Sequence, residues 1–207
     1  KTGDEGALTS IFLSAVKLVK EYRDSIFKEL KLGRSGKAYF YTEVVFNDID
    51  KDSRIDGLII IVSKGVIKDA VFFEMKNKTK CIEKEQIERY LNLCKKIGVL
   101  KMATISNEFV TNPTISPIKI KIPKSFELYH FSWTYLMTKG QLLLFKNDEN
   151  IKDLDQIEIM KEVLYYFSNS DSGVKGYTIM KSGWKETVDK IHNRISLKQK
   201  TSLKSEV

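Results

Sequence analysis

Three charged side chains stand where charge is expensive. The stretches Ile55 to Ile61 and Val71 to Lys76 are almost wholly apolar, yet they carry Asp56, Glu74 and Lys76. A strand alternates its side chains between two faces, so Glu74 and Lys76 share one face and Met75 takes the other. The 18 residues from Asp56 to Glu74 suffice for two paired strands and their turn. Hairpin pairing would therefore gather the three charges at one end of a sheet. Partly buried carboxylates cost free energy unless a cation or hydrogen bonds compensate them. Two arrangements meet that condition. One is an internal salt bridge, with Lys76 neutralising Glu74 or Asp56. The other is a hard-cation site, in which Asp56 and Glu74 hold Mg2+, or Mn2+ in its place, and the Met75 carbonyl completes the shell. Lys76 would then face an attacking water, stabilising developing charge or helping to orient and deprotonate the nucleophile.

Other chemistries are poorly supplied. The only histidines are His130 and His192, and Cys81 and Cys94 lack CxxC spacing. A zinc site and histidine-base hydrolysis are both disfavoured. No glycine-rich phosphate loop is present, which disfavours an intrinsic ATPase. The two cysteines read as reduced thiols of a cytoplasmic protein. His130, between Tyr129 and Phe131, reads as a packed histidine, and Trp133 and Trp184 read as core aromatics rather than base-stacking platforms.

The elements that must hold such a site follow from periodicity. Apolar positions from Ala7 to Leu32 step by three and four, which predicts one long amphipathic helix capped by Asp4 or Thr9 and stopped by Gly33 and Gly36. Lys37 to Phe46 reads as a strand, Asn47 to Ser53 as a turn, Arg54 to Val62 as a second strand, Ser63 to Lys68 as a turn and Asp69 to Lys76 as a third strand. A helix from Glu83 to Ile97 ends at Gly98, and Val99 to Ser106 is the next strand. This crossover makes two strands parallel. All three prolines lie between Asn107 and Lys124, in a long loop or edge excursion. Glu127 to Phe131 is a short strand, Ser132 caps a helix, Asp153 to Phe167 forms another, and Gly183 to Leu197 is the last. The expected fold is α/β, a central mixed sheet of four to five strands flanked by helices. It is expected as a single domain over residues 1–197, with a core at about 4–135, a helical part at about 150–197 and a polar basic tail at 198–207.

Asp56, then Glu74-Met75-Lys76, then Gln86-Ile87-Glu88-Arg89-Tyr90 on the following helix resembles the PD-(D/E)XK nuclease superfamily, in particular bacterial members with a Q-x-x-x-Y signature. The resemblance spans roughly Asp4 to Ser106, with Ile55 where the motif's proline would stand. Fainter similarity extends through Tyr129-His130-Phe131-Ser132-Trp133. It implies a restriction-endonuclease-like core in which Asp56 and Glu74 hold the metal and Lys76 serves the hydrolytic water. Gln86 and Tyr90, one turn apart, would face the site. Several branches add an acidic residue from the first helix, for which Asp4-Glu5-Gly6-Ala7-Leu8-Thr9 nominates Glu5. Glu21, Glu29 and the mid-strand Glu43 are the alternatives.

Composition sets the bounds. The chain has 207 residues, 42% hydrophobic, with 11 glycines and 3 prolines, enough for a packed core and too ordered in composition for a linker. No apolar stretch approaches the roughly 20 residues of a membrane-spanning helix. The start at Lys1, without Met or an apolar leader, reads as a cropped or processed chain. A net charge of +8 favours polyanionic partners and makes nucleic acid a plausible one, which the nuclease resemblance narrows to DNA. Residues 180–207 hold seven Lys or Arg against three acids and are the better candidate to meet phosphate, while 147–171 hold seven acids against two bases. Lys119, Lys121 and Lys124 either touch phosphate or solvate a loop. The expected activity is Mg2+-dependent endonuclease cleavage of DNA, as in restriction, phage defence or repair. A non-cleaving binding module of the same fold is the competing expectation. One site cuts one strand, so breaking a duplex calls for a homodimer, a larger assembly or two events.

Overall fold

Helix α1 (Glu5–Leu18) starts where Asp4 accepts hydrogen bonds from the Gly6 and Ala7 amides, and α2 (Lys20–Glu29) follows after a single extended residue, Val19. The computed structural model describes residues 4–174 except 34, 79 and 146–149, and the side chain of residue 52 is also outside the description. The single helix expected over residues 7–32 is thus two. Val19 has φ −98° and ψ 106°, a conformation its β-branched side chain favours. The apolar stripe nevertheless runs on through the break, because Val16, Val19, Tyr22 and Ile26 are all fully buried. Neither glycine ends the helical run. Lys31, at φ 49°, takes the left-handed position.

Strand β1 (Lys37–Phe46) pairs antiparallel with β2 (Asp50–Ser63), which pairs antiparallel with β3 (Val66–Met75). Both latter strands start earlier than the polar residues around them suggest. Lys64 and Gly65, at φ 52° and 75°, form a two-residue turn of the type that matches strand twist. Exposed Val66 and Ile67 are therefore ladder residues. Helix α3 (Lys84–Ile97) closes on Gly98 at φ 76°, and β4 (Lys101–Ser106) returns parallel to β3. After a long loop, β5 (Glu127–Ser132) adds parallel to β4. The His130 amide donates to the Pro113 carbonyl at 2.7 Å, so this loop runs along the outer edge of β5. Ile118, Ile120 and Ile122 pack inward between exposed Lys119 and Lys121, an alternation without a strand. Ser132 caps α4 (Trp133–Leu144), and Asp153 caps α5 (Leu154–Ser168).

The result is an α/β fold with a mixed sheet, five-stranded among the described residues, in the order β1-β2-β3-β4-β5. Helices α1, α2, α4 and α5 bury one face around Phe12, Phe73, Trp133 and Phe167, each side chain contributing about 1.5–3 kcal/mol. Helix α3 and the isoleucines of the long loop cover the other, around Phe72, Ile87 and Met102. The described residues all fall in one compact unit. The predicted helix Gly183 to Leu197, the basic end, the tail at 198–207, Trp184 and His192 lie outside the described residues. No helix among those described is long and apolar enough to cross a membrane.

Candidate active site

The β2–β3 ladder closes at Gly57 and Phe73. One step beyond, the register sets Asp56 across from Glu74, but no backbone rung forms. Instead the Asp56 Oδ2 accepts the Met75 amide hydrogen at 2.7 Å. A carboxylate takes the place of a carbonyl, and the strands part around it. Since the N–H and C=O of a strand residue project to the same edge, the Met75 carbonyl also faces the Asp56 side. Glu74 is 1% exposed at its side chain and receives Lys76 Nζ at 2.5 Å and Gln86 Nε2 at 2.7 Å, both on Oε1. Its other oxygen, Oε2, is buried and receives no N–H or O–H donor, while the Asp56 and Glu74 carboxyls are close enough to share a proton.

Helix α3 supplies the second wall. Gln86 and Tyr90, four residues apart, sit on one face of it. Gln86 Nε2 donates to Tyr90 Oη at 3.0 Å as well as to Glu74, and Tyr90 Oη donates to the Arg54 carbonyl at 2.9 Å. The chain Arg54, Tyr90, Gln86, Glu74 ties β2, α3 and β3 together.

The electrostatics follow from burial. Desolvation, then the nearby Asp56 charge, pushes the Glu74 carboxyl up to about 7, with Lys76 partly opposing. Desolvation also raises Asp56, against the Met75 amide and Lys76, which favour its charged form. Burial pulls Lys76 down, but the Glu74 hydrogen bond and the charges of Glu74, Glu5 and Asp56 outweigh it, so its ammonium is held above the usual range. Burial and the Glu74 charge raise the Tyr90 hydroxyl, which stays a neutral donor.

Glu5, at the start of α1, is near enough to act on both Asp56 and Lys76, and it pairs with Lys80 at 3.0 Å. Glu29 faces elsewhere, bound by Lys139 and Tyr135 at 2.8 Å each. Glu21 lies on α2, with one buried oxygen lacking a hydrogen bond. Glu43 is exposed, at φ 53°, and pairs with Arg54 at 3.6 Å. His130 is fully buried, its ring nitrogens 2.8 Å from Thr104 Oγ1 and 2.9 Å from the Glu108 carbonyl, a packed histidine as expected. Cys94 is buried in α3, where desolvation raises its thiol to about 12 and keeps it inert. The sequence reading missed Lys80 at the rim, which lies four residues beyond Lys76 in a loop where no periodicity applies.

No group of three or more His, Cys, Asp or Glu with metal-ligand geometry occurs among the described residues. The two carboxylates nonetheless fit a hard cation, because a buried carboxylate oxygen without an N–H or O–H donor is a ligand in waiting and Mg2+ keeps several waters besides one or two carboxylates. Of the two arrangements anticipated from the sequence, the salt bridge is the one present, as the closed Lys76–Glu74 pair on Oε1. A scan against protein-family models and a search of curated proteins find no match to this chain.

Proposed function

We propose that this protein is a metal-dependent nuclease that hydrolyses phosphodiester bonds, a DNA endonuclease built on the restriction-endonuclease-like core of the PD-(D/E)XK superfamily. The observation that carries the reading is the meeting of Asp56, Glu74 and Lys76 at the parted end of two strands, with Glu74 Oε2 left without an N–H or O–H donor. Asp56 and Glu74 would hold Mg2+ or Mn2+, with the Met75 carbonyl alongside. Bound there, the cation would polarise the scissile phosphate and lower the pKa of a coordinated water. Lys76, kept protonated by its acidic neighbours, orients the attacking water and stabilises charge on the phosphate, rather than removing a proton. Gln86 and Tyr90 hold Glu74 in place, and Glu5 with Lys80 forms the rim. Basic surface holds the nucleic-acid backbone.

The competing reading is a non-cleaving module that binds nucleic acid or a protein partner within a larger assembly. The closed ion pair between Lys76 and Glu74 favours it, since a salt bridge needs no cation. Incubation of plasmid and single-stranded DNA and RNA with Mg2+, Mn2+ or EDTA separates the two. Nicking that requires the cation and disappears in Asp56→Ala, Glu74→Ala and Lys76→Ala supports the nuclease. Binding in EDTA with no cleavage under any condition supports the module.

A further inference from the structure

Lys76 stands just past the end of β3, where a strand normally frays, and yet its ammonium is placed within 2.5 Å of Glu74. Its main chain is held from both sides. The amide donates to the Ile105 carbonyl at 2.8 Å, extending the parallel ladder by one bond. The carbonyl accepts the indole Nε1–H of Trp133 at 2.8 Å. Trp133 is fully buried at the first position of α4, whose N-cap Ser132 accepts the Tyr135 amide hydrogen at 3.1 Å. Phe12 meets its ring edge-on at 6.4 Å and Phe167 lies tilted against it at 5.3 Å. The indole cannot turn without breaking that packing. A buried indole N–H needs an acceptor, and here the acceptor belongs to the residue whose ammonium completes the site.

The geometry points to Trp133 as the positioning residue for Lys76, fixing its backbone so that the ammonium is presented to the Glu74 carboxylate and to a reacting phosphate. This inference rests on the nuclease reading for its catalytic meaning, and on the hydrogen bonds alone for its structural one. Trp133 touches no substrate. It acts through the direction of the Lys76 Cα–Cβ bond, which the two peptide groups flanking that carbon determine. An angular error there is magnified along a four-carbon side chain into displacement of the ammonium.

The test compares Trp133→Phe, which keeps an aromatic ring and deletes the N–H, with Ile26→Val, which loosens the same core from α2 and leaves the indole and its aromatic neighbours in place. Under single-turnover conditions with Mg2+ and DNA, Trp133→Phe is expected to cleave about 10- to 100-fold more slowly with KM little changed. Ile26→Val is expected to lose thermal stability yet keep its rate. A second readout needs no cleavage. In nitrogen-edited NMR an immobilised, hydrogen-bonded ammonium gives a slowly exchanging signal, assigned by its loss in Lys76→Ala. That signal should persist in the parent and in Ile26→Val and vanish in Trp133→Phe. If Trp133→Phe does not fold, the parent still decides, because a clamped Trp133 indole proton exchanges slowly with solvent and a rapidly exchanging one overturns the inference. Parental cleavage by Trp133→Phe, or an unchanged ammonium signal in it, also overturns it. A parent protein that cleaves nothing removes the catalytic role along with the nuclease reading, whereas the ammonium signal still judges the clamp.

Discussion

Glu74 keeps its proton in the folded chain up to about pH 7, while an unfolded glutamate has lost it above about 4.5. The folded state therefore binds more protons across that interval, and stability falls as pH rises through it. Thermal melts without divalent cation should show the midpoint dropping by about 5 °C between pH 5 and pH 8. Glu74→Gln should flatten that slope, and an equal slope in both proteins would remove Glu74 as its source. On the proposed reading Mg2+ would compete with the proton for the same oxygens, so it should raise the melting point at pH 8 and do little at pH 5. Asp56→Asn keeps an oxygen for the Met75 amide but loses the charge, and is expected to fold while giving no Mg2+-induced shift. Tyr90→Phe deletes the bond to the Arg54 carbonyl and should cost about 1 kcal/mol in chemical denaturation.

At the scale of elements, the site depends on how closely α1 lies on the sheet. A methyl group at Gly57 would sit 3.0 Å from Leu13 Cδ1 and 3.3 Å from Phe73 Cβ. Gly57→Ala should thus lift α1, with Glu5 at its tip, and cost about 1–3 kcal/mol by overpacking, readable as a lowered denaturation midpoint. At Gly98 nothing lies within 4 Å, and only the left-handed φ of 76° resists substitution. Gly98→Ala should cost about 1 kcal/mol and leave cleavage intact. Gly98 was also the kind of boundary a sequence announces, as were the Ser132 and Asp153 caps and the Gln86–Tyr90 spacing on α3. Val19 was not, because the apolar period passes through the break undisturbed and no proline or glycine marks it. The Lys64–Gly65 turn was blurred by the polar residues around it. Alternation along β3 placed Glu74 and Lys76 on one face. That Asp56 would serve as a hydrogen-bond acceptor for the Met75 amide was beyond reach, since it depends on where two strands separate.

For the whole molecule, a net charge of +8 implies that the proposed nucleic-acid binding would be salt-sensitive. If roughly six phosphates are neutralised, affinity should fall about a thousandfold between about 50 and 200 mM salt, measured by fluorescence anisotropy in EDTA. A flat response would point instead to a protein partner. The overall architecture was legible because a 42% hydrophobic chain with distinct helical and strand periods leaves few ways to cover a sheet. The inter-element bonds of Trp133 and Lys80 were not, because they join segments that share no period. Asp56, bonded to the Met75 amide, belongs to the scaffold as much as to any chemistry. In a lineage that gave up cutting, selection for folding would still preserve that aspartate, and it would release Lys76 only together with the buried Glu74 that Lys76 neutralises. Among descendants of such a chain, joint loss of Glu74 and Lys76 beside a retained Asp56 would thus mark a retired enzyme.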